Sequence, residues 1–194
     1  MARAGALGDA PQALVAEPFV LEVTNDRIQE VLSRHPSDCT MRYMTQMVQI
    51  VVSSPAAPAA VFALLADTGG WTGWAGFDEA ELVSPATGAE PEGVGARRRF
   101  RKGRTRTREE VVAFEAPGHF GYRLLEGMPL VDYRGDVTVE PEGTGSRITW
   151  RSTFRPKWPG TGWLYRIGLQ RFLRDLAGRL ADHAARPAPD PART

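Results

Sequence analysis

Between Asp78 and Arg155 the chain offers six consecutive segments of strand-like alternation, roughly 78–84, 93–102, 104–115, 119–126, 131–140 and 145–155, with nothing between them long enough to hold a helix. The joints "PATGAEPEG", "KG", "EAPG", "EGMP" and "EPEGTG" are rich in glycine, proline and acidic turn formers. Parallel strands need a crossover of a dozen or more residues, so strands joined this closely run antiparallel. The segment "MVQIVVSS" adds one strand upstream, with Val48, Ile50 and Val52 alternating. Pro55 and Pro58 end it, and Pro58 suits the first turn of a short helix, "PAAVFALLAD", that buries Val61, Phe62 and Leu65.

The last element is "GTGWLYRIGLQRFLRDLAGRLADHA", Gly160 to Ala184. Leu169, Phe172, Leu173, Leu176 and Leu180 recur at helical spacing, and Arg166, Arg171, Arg174, Asp175, Arg179 and Asp182 take the other side. Together these elements predict an α+β domain: a seven-stranded antiparallel sheet, two short helices after the first strand, and one long C-terminal helix. A twisted sheet of that width curls. A helix laid across it touches along only part of its length and leaves a hollow.

"ADTGGWTGWAGF" sets Trp71, Trp74 and Phe77 at i, i+3 and i+6 on a segment holding four glycines. That spacing brings the rings to one side of a short helical turn. They either plug the end of the domain or close one end of the hollow, and Trp163, near the start of the last helix, would then face them.

Composition narrows the chemistry. A formal net charge of +1 points to no special class of partner, and a single cysteine, Cys39, excludes an internal disulfide and fits a reducing compartment. His35, His119 and His183 have no metal-ligand spacing, so no metal and no cofactor are expected. No window approaches a membrane-spanning length of apolar residues, and "MARAGALGDAPQALVAEPFV" does not read as a signal peptide, which makes a cytoplasmic location the default. Three zones are expected: an extension over residues 1–43, poorly ordered or with one short helix, "NDRIQEVLSRH"; the domain over 44–186; and a Pro-rich tail over 187–194.

Alternation assigns an inner face to the strands. Tyr122 and Leu124 share one strand, Val131, Tyr133, Val137 and Val139 the next, and Ile148, Trp150, Ser152 and Phe154 the last. Tyrosine and tryptophan each carry a polar atom that wants a partner when buried. The set therefore lines a pocket, or fills a core with its polar tips at the rim. Gly168, one turn from Phe172, leaves space for a ligand or is simply tolerated.

"ARRRFRKGRTRTREE" carries eight cations between Arg97 and Arg108 in a hairpin that sets cation opposite cation. It is a solvated face matched by neighbouring acids, or an anion site for phosphate, nucleic acid or lipid head groups. Arg98 shares a side with Phe100. If that side is concave its guanidinium needs an anion, and Glu110 is the partner named, although a one-residue slip of register would make it Glu109. Asp132, Arg134 and Asp136 read as solvent-facing and His119 as a surface residue. "GTGSR" is no nucleophile elbow and "GGWTGWAG" no phosphate loop, so no catalytic cluster is legible.

In order and spacing, "SSPAAPAAVFALLADTGGWTGW", "REEVVAFEAPGHFGYRLLEG", "YRGDVTVEPEGTGSRITWRSTFRP" and "PGTGWLYRIGLQRFLRDLAGRLADH" resemble the START-like helix-grip superfamily, in its SRPBCC polyketide cyclase/dehydrase and lipid-transport branch. The resemblance covers about Met44 to Ala185. It implies a curved sheet gripping the terminal helix, with a deep cavity for a hydrophobic or amphipathic small molecule that is lipid-, polyketide- or isoprenoid-like. Candidate ligand-binding residues are Trp71, Trp74, Phe77, Arg98, Phe100, Glu110, Tyr122, Leu124, Tyr133, Trp150, Ser152, Phe154, Trp163 and Phe172. Two other functions stay open. One is a cyclase- or dehydrase-type enzyme, in which Tyr122, Tyr133 and Arg98 would steer a carbonyl chain. The other is an interaction protein whose basic hairpin, 97–108, contacts RNA, ribosome or membrane.

Overall fold

The computed structural model describes residues 44–186. The expected extension, its short helix over residues 25–35 and the Pro-rich tail lie outside the described residues. The chain runs β1 (Gln46–Ser54), α1 (Pro58–Ala66), α2 (Trp71–Trp74), β2 (Glu79–Ser84), β3 (Arg97–Lys102), β4 (Thr105–Glu115), β5 (His119–Glu126), β6 (Leu130–Glu142), β7 (Gly145–Pro156) and α3 (Gly162–Ala184). All seven strands form one antiparallel sheet, in the order β1-β7-β6-β5-β4-β3-β2. Consecutive hairpins build it from β2 to β7, and β1 closes the series by pairing with β7, Ile50 opposite Trp150.

Two boundaries differ from expectation. β3 begins at Arg97 rather than near residue 93, because Gly93 and Gly95 turn the chain, Gly95 at φ 94°. In β6 the register shifts between Val131 and Arg134, with Asp132 at φ 52°. That bulge spends one extra residue and reverses the alternation below it. Val131 therefore faces out, 39% exposed, and Leu130 takes the inward position that the uninterrupted pattern assigned to Val131.

α3 buries Leu169, Leu173, Leu176, Ala177, Leu180 and Ala181. It packs on β1 and β7, and the Ser54 hydroxyl donates to the Ala181 carbonyl at 2.9 Å. The inward residues Ile148, Trp150 and Phe154 are consequently sealed at 0% exposure. Where the sheet curves on through β6, β5, β4 and β3, the helix stands off.

Candidate functional site

Under that standoff lies a cavity of about 480 Å³. Its sheet wall is four short inward rows: Lys102 and Phe100 on β3; Thr105, Thr107 and Glu109 on β4; Leu124 and Tyr122 on β5; Leu130 and Tyr133 on β6. Along each row exposure falls from the strand end inward, from exposed Lys102 to buried Phe100 and from exposed Thr105 to half-buried Glu109. The mouth is therefore at Lys102, Thr105, Met128 and Leu164. Glu109 lies four residues down β4, about 13 Å along the strand. Trp71 and Phe77 make a side wall, and Tyr165, Leu169, Phe172 and Leu176 line it from α3. Nothing stands within 4 Å of where a Gly168 side chain would begin, so this glycine widens the cavity by a side chain's volume.

The inner end is polar. Trp150 Nε1 donates to the Tyr122 hydroxyl at 3.1 Å, which stands 3.3 Å from that of Tyr133, itself 3.0 Å from Ser152 Oγ. Burial pushes the Tyr133 phenol up to about 12 and that of Tyr122 well above its ordinary value. Both therefore keep their protons and act as neutral donors and acceptors. Glu109 completes this end. Burial raises its carboxyl to about 7, outweighing the opposing pull of Arg98.

Arg98 stands directly behind Glu109. Its side chain has no solvent exposure, and its guanidinium carbon lies 4.7 Å from the ring centre of Phe120, 5.1 Å from Trp71, 5.3 Å from Phe100 and 5.9 Å from Tyr122. Nη2 meets Glu109 Oε2 at 3.4 Å and Nη1 donates to the Leu65 carbonyl at 3.2 Å. That carbonyl belongs to the last turn of α1, whose oxygens have no helical partner and sit at the negative end of the helix dipole. Trp71 Nε1 donates to the same oxygen at 3.2 Å. One helix end thus anchors both a buried cation and a cavity-wall indole. Burial lowers the pKa of Arg98 and Glu109 raises it, with burial the larger effect.

Among the expected site residues, Trp71, Phe77, Phe100, Tyr122, Leu124, Tyr133 and Phe172 come together on the cavity wall. Trp74, Arg98, Trp150, Ser152 and Phe154 are buried but not on it. Trp74 packs behind Trp71, ring centres 4.7 Å apart. The β7 residues lie where α3 or the tyrosines already cover the sheet. Trp163 is corrected outright: it is 61% exposed on the outer side of α3 and does not face the indoles of α2. Glu110 is corrected too. The register sets Arg98 opposite Glu109 and Arg97 opposite Glu110, so Glu110 faces out, 3.2 Å from Arg97 and 2.8 Å from Arg123. Sequence reasoning left Glu109 as the alternative to Glu110 and did not name Lys102, Thr105, Thr107, Met128, Leu130, Leu164, Tyr165, Leu169 or Leu176 as wall residues. The alternation Thr105, Thr107, Glu109, Val111 was available as a signal, but the adjacent pair Val111-Val112 hid which parity was buried.

The basic hairpin is largely neutralised. Arg97 and Arg98 pair as above, Arg99 with Glu81, Arg101 with Asp78 and Glu79, and Arg108 with Glu126. Acids just before and on β2, and on β4 and β5, thus pair five of the eight cations, while Lys102, Arg104 and Arg106 at the hairpin tip have no carboxylate partner among the described residues.

A long helix gripped by a curved antiparallel sheet, with an apolar chamber between them that is polar at one end, defines the helix-grip fold. A family model agrees: polyketide cyclase / dehydrase and lipid transport matches residues 45–185, and the chain belongs to that family. Solved structures share the fold. A START superfamily protein from Mycobacterium smegmatis is 14% identical, with a TM-score of 0.63 over 71% of this chain and 96% of that one. A protein from Thermus thermophilus is 22% identical, with a TM-score of 0.57 over 72% and 97%. Truncated norcoclaurine synthase from Thalictrum flavum is 12% identical, with a TM-score of 0.59 over 75% and 96%. No curated protein sequence matches this chain significantly. Among the described residues no helix is long and apolar enough to cross a membrane, and no three His, Cys, Asp or Glu stand together as metal ligands.

Proposed function

We propose that this protein binds a hydrophobic or amphipathic small molecule, lipid-, polyketide- or isoprenoid-like, in the chamber between β3–β6 and α3. One observation carries the reading: about 480 Å³ of mostly apolar space whose few polar groups converge at one end. A ligand that fills it buries its hydrocarbon at about 25 cal/mol per Å². It sets a hydroxyl, carbonyl or amine against Glu109, Tyr122 and Tyr133. The outward Glu109 oxygen, Oε1, takes no part in the pair with Arg98, so a ligand donor meets an unshared acceptor there.

The test is native mass spectrometry of the full chain purified from its producing cells, with uptake of an apolar fluorescent probe alongside. A co-purifying small molecule, displaced by the probe, supports the proposal. An empty protein that takes up no probe overturns it.

One observation favours a second reading. A carboxyl held near neutrality beside two protonated phenols is suited to moving a proton between a bound ligand and Glu109 while a phenol steadies the oxyanion formed. Turnover of a carbonyl-bearing ligand by purified protein, lost in Glu109→Gln with binding retained, separates an enzyme from a carrier.

A further inference from the structure

Close in sequence to Leu164 of the mouth, the loop before α3 and the first turns of α3 carry large apolar side chains that face solvent. Trp158, Trp163, Leu164 and Ile167 are 53%, 61%, 56% and 38% exposed. Singly such residues need no explanation. Here four large apolar side chains, two of them indoles, fall between residues 158 and 167, in the loop before α3 and in its first turns. The loop is held in place. The Lys157 N–H donates to the Pro129 carbonyl at 3.1 Å, beside Met128 of the mouth, and the Trp158 carbonyl accepts from Thr161 Oγ1 at 2.7 Å. Leu164 itself lines the opening.

Exposed cations occur on the same segments and at the cavity wall, where Lys102 has its Nζ 5.5 Å from the ring centre of Phe172. Lys102 and Arg104 stand at the tip of the β3–β4 hairpin, Lys157 precedes Trp158, and Arg166 lies between Trp163 and Ile167 on α3, all exposed. The acids at this end are already engaged, Asp78 and Glu79 with Arg101, Glu126 with Arg108 and Asp132 with Arg155. Among the described residues no carboxylate lies within ion-pair distance of these four cations. A partner must therefore offer apolar depth behind an anionic surface. Indoles favour the boundary between headgroups and acyl chains, and basic residues favour anionic lipid beside it. A second copy of the chain fits poorly, because a two-fold contact would set these cations against themselves.

We propose that the mouth lies on an anionic lipid surface. Trp158, Trp163, Leu164 and Ile167 enter the headgroup layer, and Lys102, Arg104, Lys157 and Arg166 face the phosphates. An apolar ligand would then pass between bilayer and chamber without crossing open water. The docking rests on exposed side chains, of which Lys102 and Leu164 also line the chamber, and only the passage of a ligand rests on the proposed function.

The test is flotation of the full chain with phosphatidylcholine vesicles, with and without phosphatidylglycerol, together with quenching of tryptophan fluorescence by brominated acyl chains. Expected are binding to the anionic vesicles alone, loss of binding at high salt, and quenching that disappears in the double variant Trp158→Ser, Trp163→Ser. That variant should bind at least about tenfold more weakly, and Arg166→Gln about fivefold more weakly. Val94→Ser, which removes an exposed apolar residue outside the cavity wall, should change nothing, and circular dichroism should show every variant folded. No flotation with anionic vesicles, or equal flotation of the double variant, overturns the proposal. So does protection of Trp158 and Trp163 from aqueous acrylamide before lipid is added, since another part of the chain or a second copy would then cover the patch.

Discussion

Tyr122 lies against Gly135, its cross-strand partner on β6: a side-chain carbon on residue 135 would begin 2.6 Å from the phenol oxygen and inside the ring's contact distance. Only a glycine leaves that ring its place, and the ring's place sets its hydroxyl between Trp150 and Tyr133. A residue with no side chain thus positions the polar end of the chamber.

Gly135→Ala should therefore push Tyr122 off its backbone seat and break the chain of hydroxyls. The expected loss is about 1–3 kcal/mol of stability, as for other overpacked interiors, together with weaker binding of a ligand that hydrogen-bonds at the inner end. Urea unfolding and probe titration check the two effects separately.

Gly168 behaves oppositely, because open space faces it. Gly168→Ala should stabilise α3 by about 1 kcal/mol through helix propensity and leave uptake intact. Gly168→Phe should fill the chamber and abolish probe uptake in a protein that still melts cooperatively. Uptake that persists in the phenylalanine variant would locate the ligand elsewhere.

Glu109 predicts a pH slope of definite sign. Its folded carboxyl is raised to about 7 from 4.5, so between those values the native state holds a proton that the unfolded chain releases. Stability from this group is present below the unfolded value and is lost as pH rises through the folded one. The stability of the wild type minus that of Glu109→Gln should fall by roughly 3 kcal/mol at most across this window. Thermal unfolding at a series of pH values reads the slope, whatever constant offset the substitution brings.

Arg98 has no route to water. Arg98→Ala removes a fully buried cation, opens a void among four rings and leaves Glu109 without its partner, so a loss of about 3–5 kcal/mol is expected. Arg98→Met keeps most of the volume and should cost less. In that variant the Glu109 carboxyl should titrate higher still, because the one charge that lowers it is gone. A carboxyl-carbon NMR titration follows it directly.

The strand series, the proline-started α1, the indole-bearing turn and the terminal helix were legible because each is written in local periodicity, and a period of two or of 3.6 needs no tertiary knowledge. The aromatic wall was legible for the same reason. Phe100, Tyr122, Leu124 and Tyr133 alternate on their strands and Trp71 and Phe77 share one side of a turn. Parity was harder to read. The sequence admits Glu110 as readily as Glu109 at the inward position, since one residue of register moves every side chain to the other face and "REEVV" reads equally well in either frame. Val131 reads as inward because nothing in "LVDYRG" announces the bulge at Asp132.

What the order of residues determined alone is the kind of sheet, the direction of its strands and the one helix long enough to cover it, all consequences of turn lengths and apolar spacing. Which residues became core and which became wall was decided only when α3 settled on β1 and β7 and stood away from β3–β6. There a curved surface and a straight rod part company, and that gap separates sealed Trp150 and Phe154 from a Glu109 left facing open space.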